Sequence, residues 1–377
     1  MSGPLVGVTV TEIAGLGPAP FCGMVLADLG ADVVRVDRFE GSGMVRPQHD
    51  LHNRGKRSIA VDLKHPDGVE VVLRLVETSD ALIEGFRPGV TERLGIGPAE
   101  SLARNESLVY GRMTGWGQDG PMVGMAGHDI DYIAISGALG SIGPSDRPIP
   151  PLNLVGDFGG GGMLLALGVL AGILAARTTG VGQIVDAAMV DGAALLMTSH
   201  HGFLADGWWA PAREANLLDG GAPFYRVYET ADQRHVAVGA LEPQFFAALL
   251  DGLEVSIDDV GPQNDREGWP AMAGIFAARF RKRTRDEWAR HFDGTDACVA
   301  PVLSMAEAPR HPHLAARGTF ANVAGVIQPA AAPRFSATPA SVDSGPVAPG
   351  ADTDSILGGL GFSGDEIGKL RASGAVD

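Results

Sequence analysis

The stretch "EIAGLGPAPFCGMVLADLGADVVRVDR", residues 12–38, decides how the fold begins. It contains an apolar start, a glycine turn, an apolar helical run and the β-branched run "DVVRVD", in that order. A strand, a crossover helix and a second strand are the beginning of a parallel sheet. The same alternation continues through "SIAVDL", "GVEVVLRLVETS", "ALIEG" and "LVYGRM" to about residue 112. The pattern therefore predicts an α/β domain with a mostly parallel sheet.

The glycine turn of this stretch is similar to a turn that binds the pyrophosphate of a dinucleotide. Asp37 lies twenty residues after Gly17, where such domains bind the adenine ribose. Pro18 and Pro20 contradict that interpretation, because proline removes backbone N–H donors from the turn that must supply them. The stretch is better interpreted as a strand-to-helix connection in which proline begins the helix.

Length and composition restrict the class of protein. The composition, 45% hydrophobic and 20% charged, is typical of a globular protein, and 377 residues are enough for one large core or for two domains, of which two domains is the expectation. A net charge of −16 argues against nucleic acid or a membrane surface as the main partner. Cys22 and Cys298 lack metal or redox spacing and the amino terminus lacks a signal-peptide pattern, so we expect no metal and a cytoplasmic protein. The apolar run 159–177 contains many glycines, which predicts a core helix rather than a membrane span.

The rest of the chain indicates a second domain and a returning segment. Residues 1–199 are expected to form the large domain, with an irregular, glycine- and proline-rich region at 113–160 followed by two buried helices. Residues 200–225 are expected to be a linker. Alternation in "FYRVYETADQRHVAVGAL" predicts two strands that open a smaller α+β domain at 226–315. Residues 316–377 are expected to be extended and to end in a helix that packs on the large domain.

Basic residues are concentrated in one part of this acidic chain. Seven of them lie within 30 residues of one another, most at the ends of predicted strands: Arg35, Arg38, Arg46, Arg54, Lys56, Arg57 and Lys64. Two interpretations remain open, a solvated charged edge and a rim that binds an anionic ligand.

Three side chains are candidates for chemistry. His128 lies in "AGHDIDY" (126–132), a glycine-flanked loop rich in carboxylates, whereas the other histidines, His52 among them, are interpreted as structural. Asp157 precedes four glycines and an apolar helix, so its carboxylate is expected near free N–H groups, as a site residue or as a plain helix cap. Glu242 follows a predicted strand of the smaller domain in "GALEPQFF" (239–246).

These motifs, in this order, resemble the family III CoA-transferase superfamily. The similarity runs nearly end to end and includes "RMTGWGQDGP", "AGHDIDY", "PPLNLVGDFGGGG", "GGAPFYRVYE" and "DACVAPVLS". The resemblance implies a Rossmann-like large domain that binds an acyl-CoA thioester, with CoA as part of the substrate and no separate cofactor. It also implies an interlocked homodimer. The positions that match the CoA-binding residues of the family are Arg38, Val61, Asp62, Leu63, Lys64, Gly85, Phe86, Arg87, Arg93, Gly127, His128, Asp129, Ile130, Asp131 and Tyr132.

The resemblance also implies two alternative chemistries. Transferases of the superfamily use an aspartate that matches Asp157 as a nucleophile, which forms an acyl anhydride. Racemases use this aspartate with a histidine that matches His128 as an acid/base pair, and an acid that matches Glu242 partners the histidine. Transferases commonly lack the histidine, so "GHD" favours a racemase of 2-methylacyl-CoA thioesters, and a transferase is the alternative.

A racemase needs two acid/base groups on opposite faces of one carbon, because the proton leaves one face and returns to the other through a planar enolate. The thioester oxygen gains negative charge in that enolate and needs hydrogen-bond donors. The N–H groups in the loops around Asp129 and Asp157 are the candidates, so Asp129 is included with the catalytic residues.

Overall fold

A computed structural model of the chain describes residues 2–40 and 45–377. Two compact units are present: the first contains the residues up to 136 together with 152–196 and 313–377, and the second contains 137–151 and 197–312. The boundaries expected from the sequence are at residues 199, 225 and 315. The observed units instead change at residues 136, 151, 196 and 312. The segment 137–151 lies in the second unit because the guanidinium of Arg213 donates hydrogen bonds to the carbonyl oxygens of Gly140, Pro144 and Ser145. The expected linker 200–225 begins inside a helix, Thr198–Ala205.

The first unit is built on a six-stranded parallel sheet. Its strands are β1 Thr9–Ile13, β2 Asp32–Asp37, β3 Arg57–Ala60, β4 Ala81–Glu84, β5 Val109–Thr114 and β6 Gln183–Ala188. They lie in the order β3-β2-β1-β4-β5-β6, the order of a doubly wound sheet. In the register, Thr11 of the central β1 pairs with Val34 on one side and Leu82 on the other. The predicted Rossmann-like α/β fold is confirmed.

Helices cover both faces of this sheet. They are α1 Pro18–Asp28, α2 Pro66–Glu77, α3 Val90–Arg93, α4 Pro98–Arg104, α5 Asp129–Ile135, α6 Met163–Thr179 and α7 Met189–Leu196. Side chains alternate between the faces of a strand, so Val10 of β1 lies in the core with α1 and α6, whereas Ile13 lies in the core with α2. As predicted, α1 begins at Pro18.

The region 154–199 departs from the prediction of two buried helices. A π-helical stretch, Leu154–Gly162, runs directly into α6, and strand β6 precedes α7. The glycines 159–162 are therefore helical and do not form a turn. They allow close packing, since a Cβ on Gly192 of α7 would lie 1.8 Å from the carbonyl oxygen of Gly160. By length and composition the continuous helix 154–179 is apolar enough to cross a membrane, and 44% of its most apolar window is buried in the protein.

The second unit has an antiparallel sheet covered by helices, which confirms the predicted α+β class. Its strands, in sheet order, are β7 Tyr225–Glu229, β8 His235–Gly239 and β9 Val299–Pro301. Its helices are α8 Thr198–Ala205, α9 Pro243–Leu253, α10 Ile257–Val260, α11 Trp269–Phe280 and α12 Arg285–His291. Aromatic side chains form much of the core, among them Phe224, Phe246, Trp269 and Phe276.

The C-terminal segment belongs to the first unit. It contains α13 Pro312–Arg317, a hairpin of β10 Phe320–Val323 and β11 Val326–Pro329, and the helices α14 Thr353–Gly359 and α15 Gly364–Ser373. Ile356 and Leu357 of α14 lie in the core beside Ile59 of β3. The final helix was predicted, whereas the hairpin replaces part of the expected extended chain.

Candidate active site

A cavity of about 760 Å³ opens where the strand order of the first unit reverses. The chain leaves the neighbouring strands β1 and β4 in opposite directions, and doubly wound proteins bind ligands at this switch point. The turn after β1 contributes Gly17, the turn after β4 contributes Arg87, and the region after β5 contributes His128, Tyr132 and Asp157. The structure thus brings the two main candidate residues to one cavity.

Asp157 is half-buried in the first turn of the π-helical stretch. Its carboxylate accepts a hydrogen bond from Asn153 Nδ2 at 2.9 Å, one helical turn earlier. Burial raises the pKa of Asp157, and the negative charge of Asp129 adds to this increase, while the Asn153 hydrogen bond and His128 oppose it. Gly17 has a positive φ of 72°, and a Cβ there would lie 3.5 Å from Asp157 Oδ2. The Asp157 side chain lines the cavity, and the residue at the helix cap position is Asn153, so Asp157 is not the plain helix cap considered from the sequence.

Asp129 is buried beneath Asp157 and does not line the cavity. Its Oδ1 accepts the backbone N–H of Asp157 at 2.7 Å, and its Oδ2 has no hydrogen-bond partner among the described residues. Gly156 makes room for this contact, since a Cβ there would lie 2.5 Å from Asp129 Oδ1. The geometry makes Asp129 a positioning residue for Asp157. It also removes the Asp157 N–H from the candidate donors to an enolate oxygen.

His128 is exposed to the cavity immediately before α5. Its backbone N–H donates to Asp131 Oδ2 at 2.9 Å, which fixes the start of the helix. Tyr132 holds the preceding residue, because its hydroxyl donates to the carbonyl oxygen of Gly127 at 2.5 Å. The ring of Tyr132 packs edge-on against Trp116, with the ring centroids 4.7 Å apart. Ile130, on the same helix, is exposed.

The basic cluster divides into two groups that the sequence does not distinguish. Arg35 pairs with Asp37, Arg54 with Asp28 and Lys56 with Glu12; all six side chains are buried, and Arg57 pairs with Asp32 in a partly exposed bridge. Neither interpretation from the sequence, solvated edge or anion rim, describes these four cations. All four are paired with an acid, and the three buried ones are structural, because a buried charge requires a partner.

The exposed cations follow the carboxyl ends of three strands of the parallel sheet, β2, β3 and β4. Arg38 comes after β2, Lys64 after β3, and Arg87 after β4, with Arg93 in α3; none of them has an ion pair within the described part of the chain. Gly85 and Phe86, which precede Arg87 in the chain, line the cavity. The carboxylate of Asp62 accepts the backbone N–H of Lys64 at 2.9 Å. Leu63 is half-buried beside them, and Val61 is buried and bridges to Val376.

Glu242 lies in the second unit, where it is exposed at the start of α9. Its partnership with His128 stays a prediction. Sequence reasoning missed Asn153, Trp116 and Gly17 as site residues, although all three belong to the quoted motifs. No cluster of three His, Cys, Asp or Glu that fits a metal ion occurs in residues 2–40 and 45–377.

Fold and cavity together define an α/β protein of the doubly wound class with a cavity at the switch point, the place where proteins of this class bind ligands. A model of CoA-transferase family III matches residues 5–354, and the chain belongs to this family. Over 99% of its length it is 46% identical to mouse (Mus musculus) alpha-methylacyl-CoA racemase and 44% identical to the human (Homo sapiens) protein of that name, covering 97% of each. The family also includes CoA-transferases.

The fold is shared with solved structures. The crystal structure of a CAIB/BAIF family protein from Brucella suis superposes with a TM-score of 0.82 at 26% identity, over 96% of this chain and 100% of that one. The resemblance stated from the sequence motifs is thus confirmed at the level of family and fold.

Proposed function

We propose that the protein is a racemase that inverts the α-carbon of 2-methylacyl-CoA thioesters. The observation that carries this proposal is that His128 and Asp157 line one cavity. Two acid/base groups are what a 1,1-proton transfer requires, whereas acyl transfer through an aspartyl anhydride requires only the carboxylate. The names of the mouse and human relatives support the proposal.

In this mechanism one residue of the pair removes the α-proton and the other returns a proton to the opposite face. The C–H electron pair forms a carbon–carbon double bond while the carbonyl π pair moves onto the thioester oxygen, which gives an enolate. When the second group donates a proton to the α-carbon, the carbon–carbon π pair forms the new C–H bond and the carbonyl is restored. The raised pKa of Asp157 suits both roles, because its carboxyl group releases and takes up a proton closer to neutral pH. The Asp129 N–H lies at the first position of α5, where it has no intrahelical acceptor, and it is the proposed donor to the enolate oxygen.

The proposed CoA site is the row of exposed cations at the carboxyl ends of β2, β3 and β4. Phosphates bind arginine and lysine through charge-assisted hydrogen bonds, and these four cations have no acidic partner within the described residues. The cations are Arg38, Lys64, Arg87 and Arg93. With CoA supplied by the substrate, the proposed reaction needs no metal or separate cofactor.

A homodimer is proposed on the exposed face of α6. Leu167 and Leu174 are 65% and 70% exposed, and Met163 is 50% exposed. Their spacing of four and seven residues places the three side chains on one face of the helix. A second copy of the chain is the proposed cover for this face, and Glu242 of the same chain or of the partner subunit is proposed to orient His128.

The test is exchange of the α-proton of a single-enantiomer 2-methylacyl-CoA in D2O, followed by NMR and chiral analysis. Wild type is expected to incorporate deuterium and to invert the centre. His128→Ala and Asp157→Asn are each expected to lower the rate by about 10²–10⁴-fold, and His49→Ala, at an exposed histidine outside the cavity, is the control.

The alternative is a CoA-transferase with Asp157 as nucleophile. His128→Ala should then leave CoA transfer between carboxylic acids largely intact. Hydroxylamine trapping of an acyl group on Asp157, without any α-proton exchange in wild type, would overturn the racemase proposal.

A further inference from the structure

Two aromatic rings, those of Phe158 and His52, line the cavity near Asp157, and the ring of Phe21 packs against both of them from behind. Phe158 follows Asp157 in the chain, and its ring centroid lies 4.8 Å from that of Phe21 and 5.3 Å from that of His52. His52 also packs edge-on against Phe21 at 5.8 Å. Among the described residues, Arg87 is the only arginine or lysine that lines the cavity, and it belongs to the turn after β4. The aromatic wall formed by Phe158 and His52 therefore suits the acyl chain of a thioester rather than its phosphates.

The short turn that carries this histidine, Leu51–Asn53, is anchored on both sides. The buried ammonium of Lys56 donates to the carbonyl oxygen of Pro20 at 2.9 Å and to the Asn53 amide oxygen at 3.3 Å. The buried guanidinium of Arg54 pairs with Asp28 at the end of α1. The imidazole is thus presented by a segment held in place by internal hydrogen bonds, as a specific binding site requires.

The imidazole itself has unused hydrogen-bonding capacity. It packs edge-on against the rings of Phe21 and Phe158, and neither ring nitrogen forms a hydrogen bond with a described residue. Burial lowers the pKa of His52, so the ring is neutral at pH 7 and offers one N–H donor and one acceptor. Asp50 lines the cavity two residues earlier, and its carboxylate accepts the Asn53 side-chain N–H at 2.8 Å. A hydrocarbon chain packed here would strip water from these polar groups and leave them unpaired, which is unfavourable.

We propose that His52 and Asp50 form a polar subsite in the aromatic wall, which selects acyl chains that carry a hydroxyl group. A hydroxyl donates and accepts, so it satisfies both the imidazole and the carboxylate. The inference rests on the racemase proposal for the identity of the bound thioester. It assigns to His52 a specificity-determining role, in place of the structural role expected from the sequence.

The test is a matched series of 2-methylacyl-CoA thioesters of equal length, either all-hydrocarbon or with one hydroxyl at successive chain positions. We expect one or more hydroxylated members to exceed the hydrocarbon about tenfold in kcat/KM for α-proton exchange. His52→Phe keeps the ring packing against Phe21 and Phe158 but removes both nitrogens, so it should abolish the preference by weakening the hydroxylated member and improving the hydrocarbon. Asp50→Asn should reduce the preference.

His49→Phe, in the neighbouring exposed turn, is the matched control and should leave the ratio unchanged. A flat series in wild type, or a preference that survives in His52→Phe, overturns the inference. Calorimetric Kd values for the same thioesters separate this inference from the proposed function. If no thioester exchanges its α-proton, the racemase proposal fails, and the Kd ratio between wild type and His52→Phe alone decides whether His52 selects hydroxylated chains.

Discussion

At the scale of single residues, the protonation of Asp157 depends on Asn153, the residue immediately before its helix. The Asn153 amide donates to the charged carboxylate and so lowers the pKa of Asp157 against the raising effect of burial. In the variant Asn153→Ala the pKa of Asp157 should rise, because this hydrogen bond is lost. A smaller fraction of Asp157 is then in the carboxylate form at a given acidic pH. We expect the acidic limb of the pH–rate profile to move to higher pH, with a loss of about tenfold on that limb.

The measurement is α-proton exchange from pH 5 to 9 in the direction in which Asp157 removes the proton. Asn322→Ala, at an exposed position of the C-terminal hairpin, is the control. A uniform loss at every pH would show that Asn153 acts only on the fold.

The sequence predicts His128 and Asp157 but not the residues that adjust them. Asn153 is not predicted because it contacts Asp157 across one helical turn, and the glycines of this stretch indicate a loop rather than a helix in the sequence. Arg35 and Lys56 are indistinguishable from Arg38 in the sequence, because whether a basic side chain is buried depends on strand register and on the helix above it. Local patterns identify chemistry-bearing residues; they do not show which charges face inward.

At the scale of elements, the turn after β4 is supported by a buried acid. Glu84 is 1% exposed, accepts the Phe86 N–H at 2.7 Å and pairs with Arg112 of β5, which in turn pairs with Glu92 of α3. Burial is the largest cause that raises the pKa of Glu84 to about 7, from 4.5. The Glu84 carboxyl group thus binds its proton more tightly in the folded state than in the unfolded state. The stability that this protonated carboxyl group contributes is lost as the pH rises from about 4.5 through 7.

Glu84→Gln should remove this pH dependence. We expect the free energy of unfolding of wild type, relative to Glu84→Gln, to fall by up to about 3 kcal/mol between pH 4.5 and 8. Urea unfolding followed by circular dichroism at both pH values measures the difference, with Glu106→Gln, at an exposed carboxylate, as the control. A constant difference across this range would contradict the assignment of the proton to Glu84.

At the scale of the whole molecule, the alternation of strands and helices up to residue 112 is sufficient to predict the α/β class. It is not sufficient to predict β6, since "GQIVDAAMVDG" joins a strand to a helix without a glycine or proline between them. Ile184 of this edge strand is 49% exposed, so the apolar residues of the strand do not all face the core. Only pairing with β5 identifies it.

The exposed apolar face of α6 leads to a prediction about association. Its buried face packs on β5 and β6, so the helix already has a protein partner on one side, and a bilayer would require apolar surroundings for Asp157 as well. A second copy of the chain is the better cover for Leu167 and Leu174. The double variant Leu167→Asp/Leu174→Asp should place two charges in the interface and convert the dimer to a monomer in analytical ultracentrifugation, while circular dichroism stays unchanged. Leu167→Met/Leu174→Met should remain dimeric, and a wild type that sediments as a monomer, or that floats with lipid vesicles, would contradict the proposed interface.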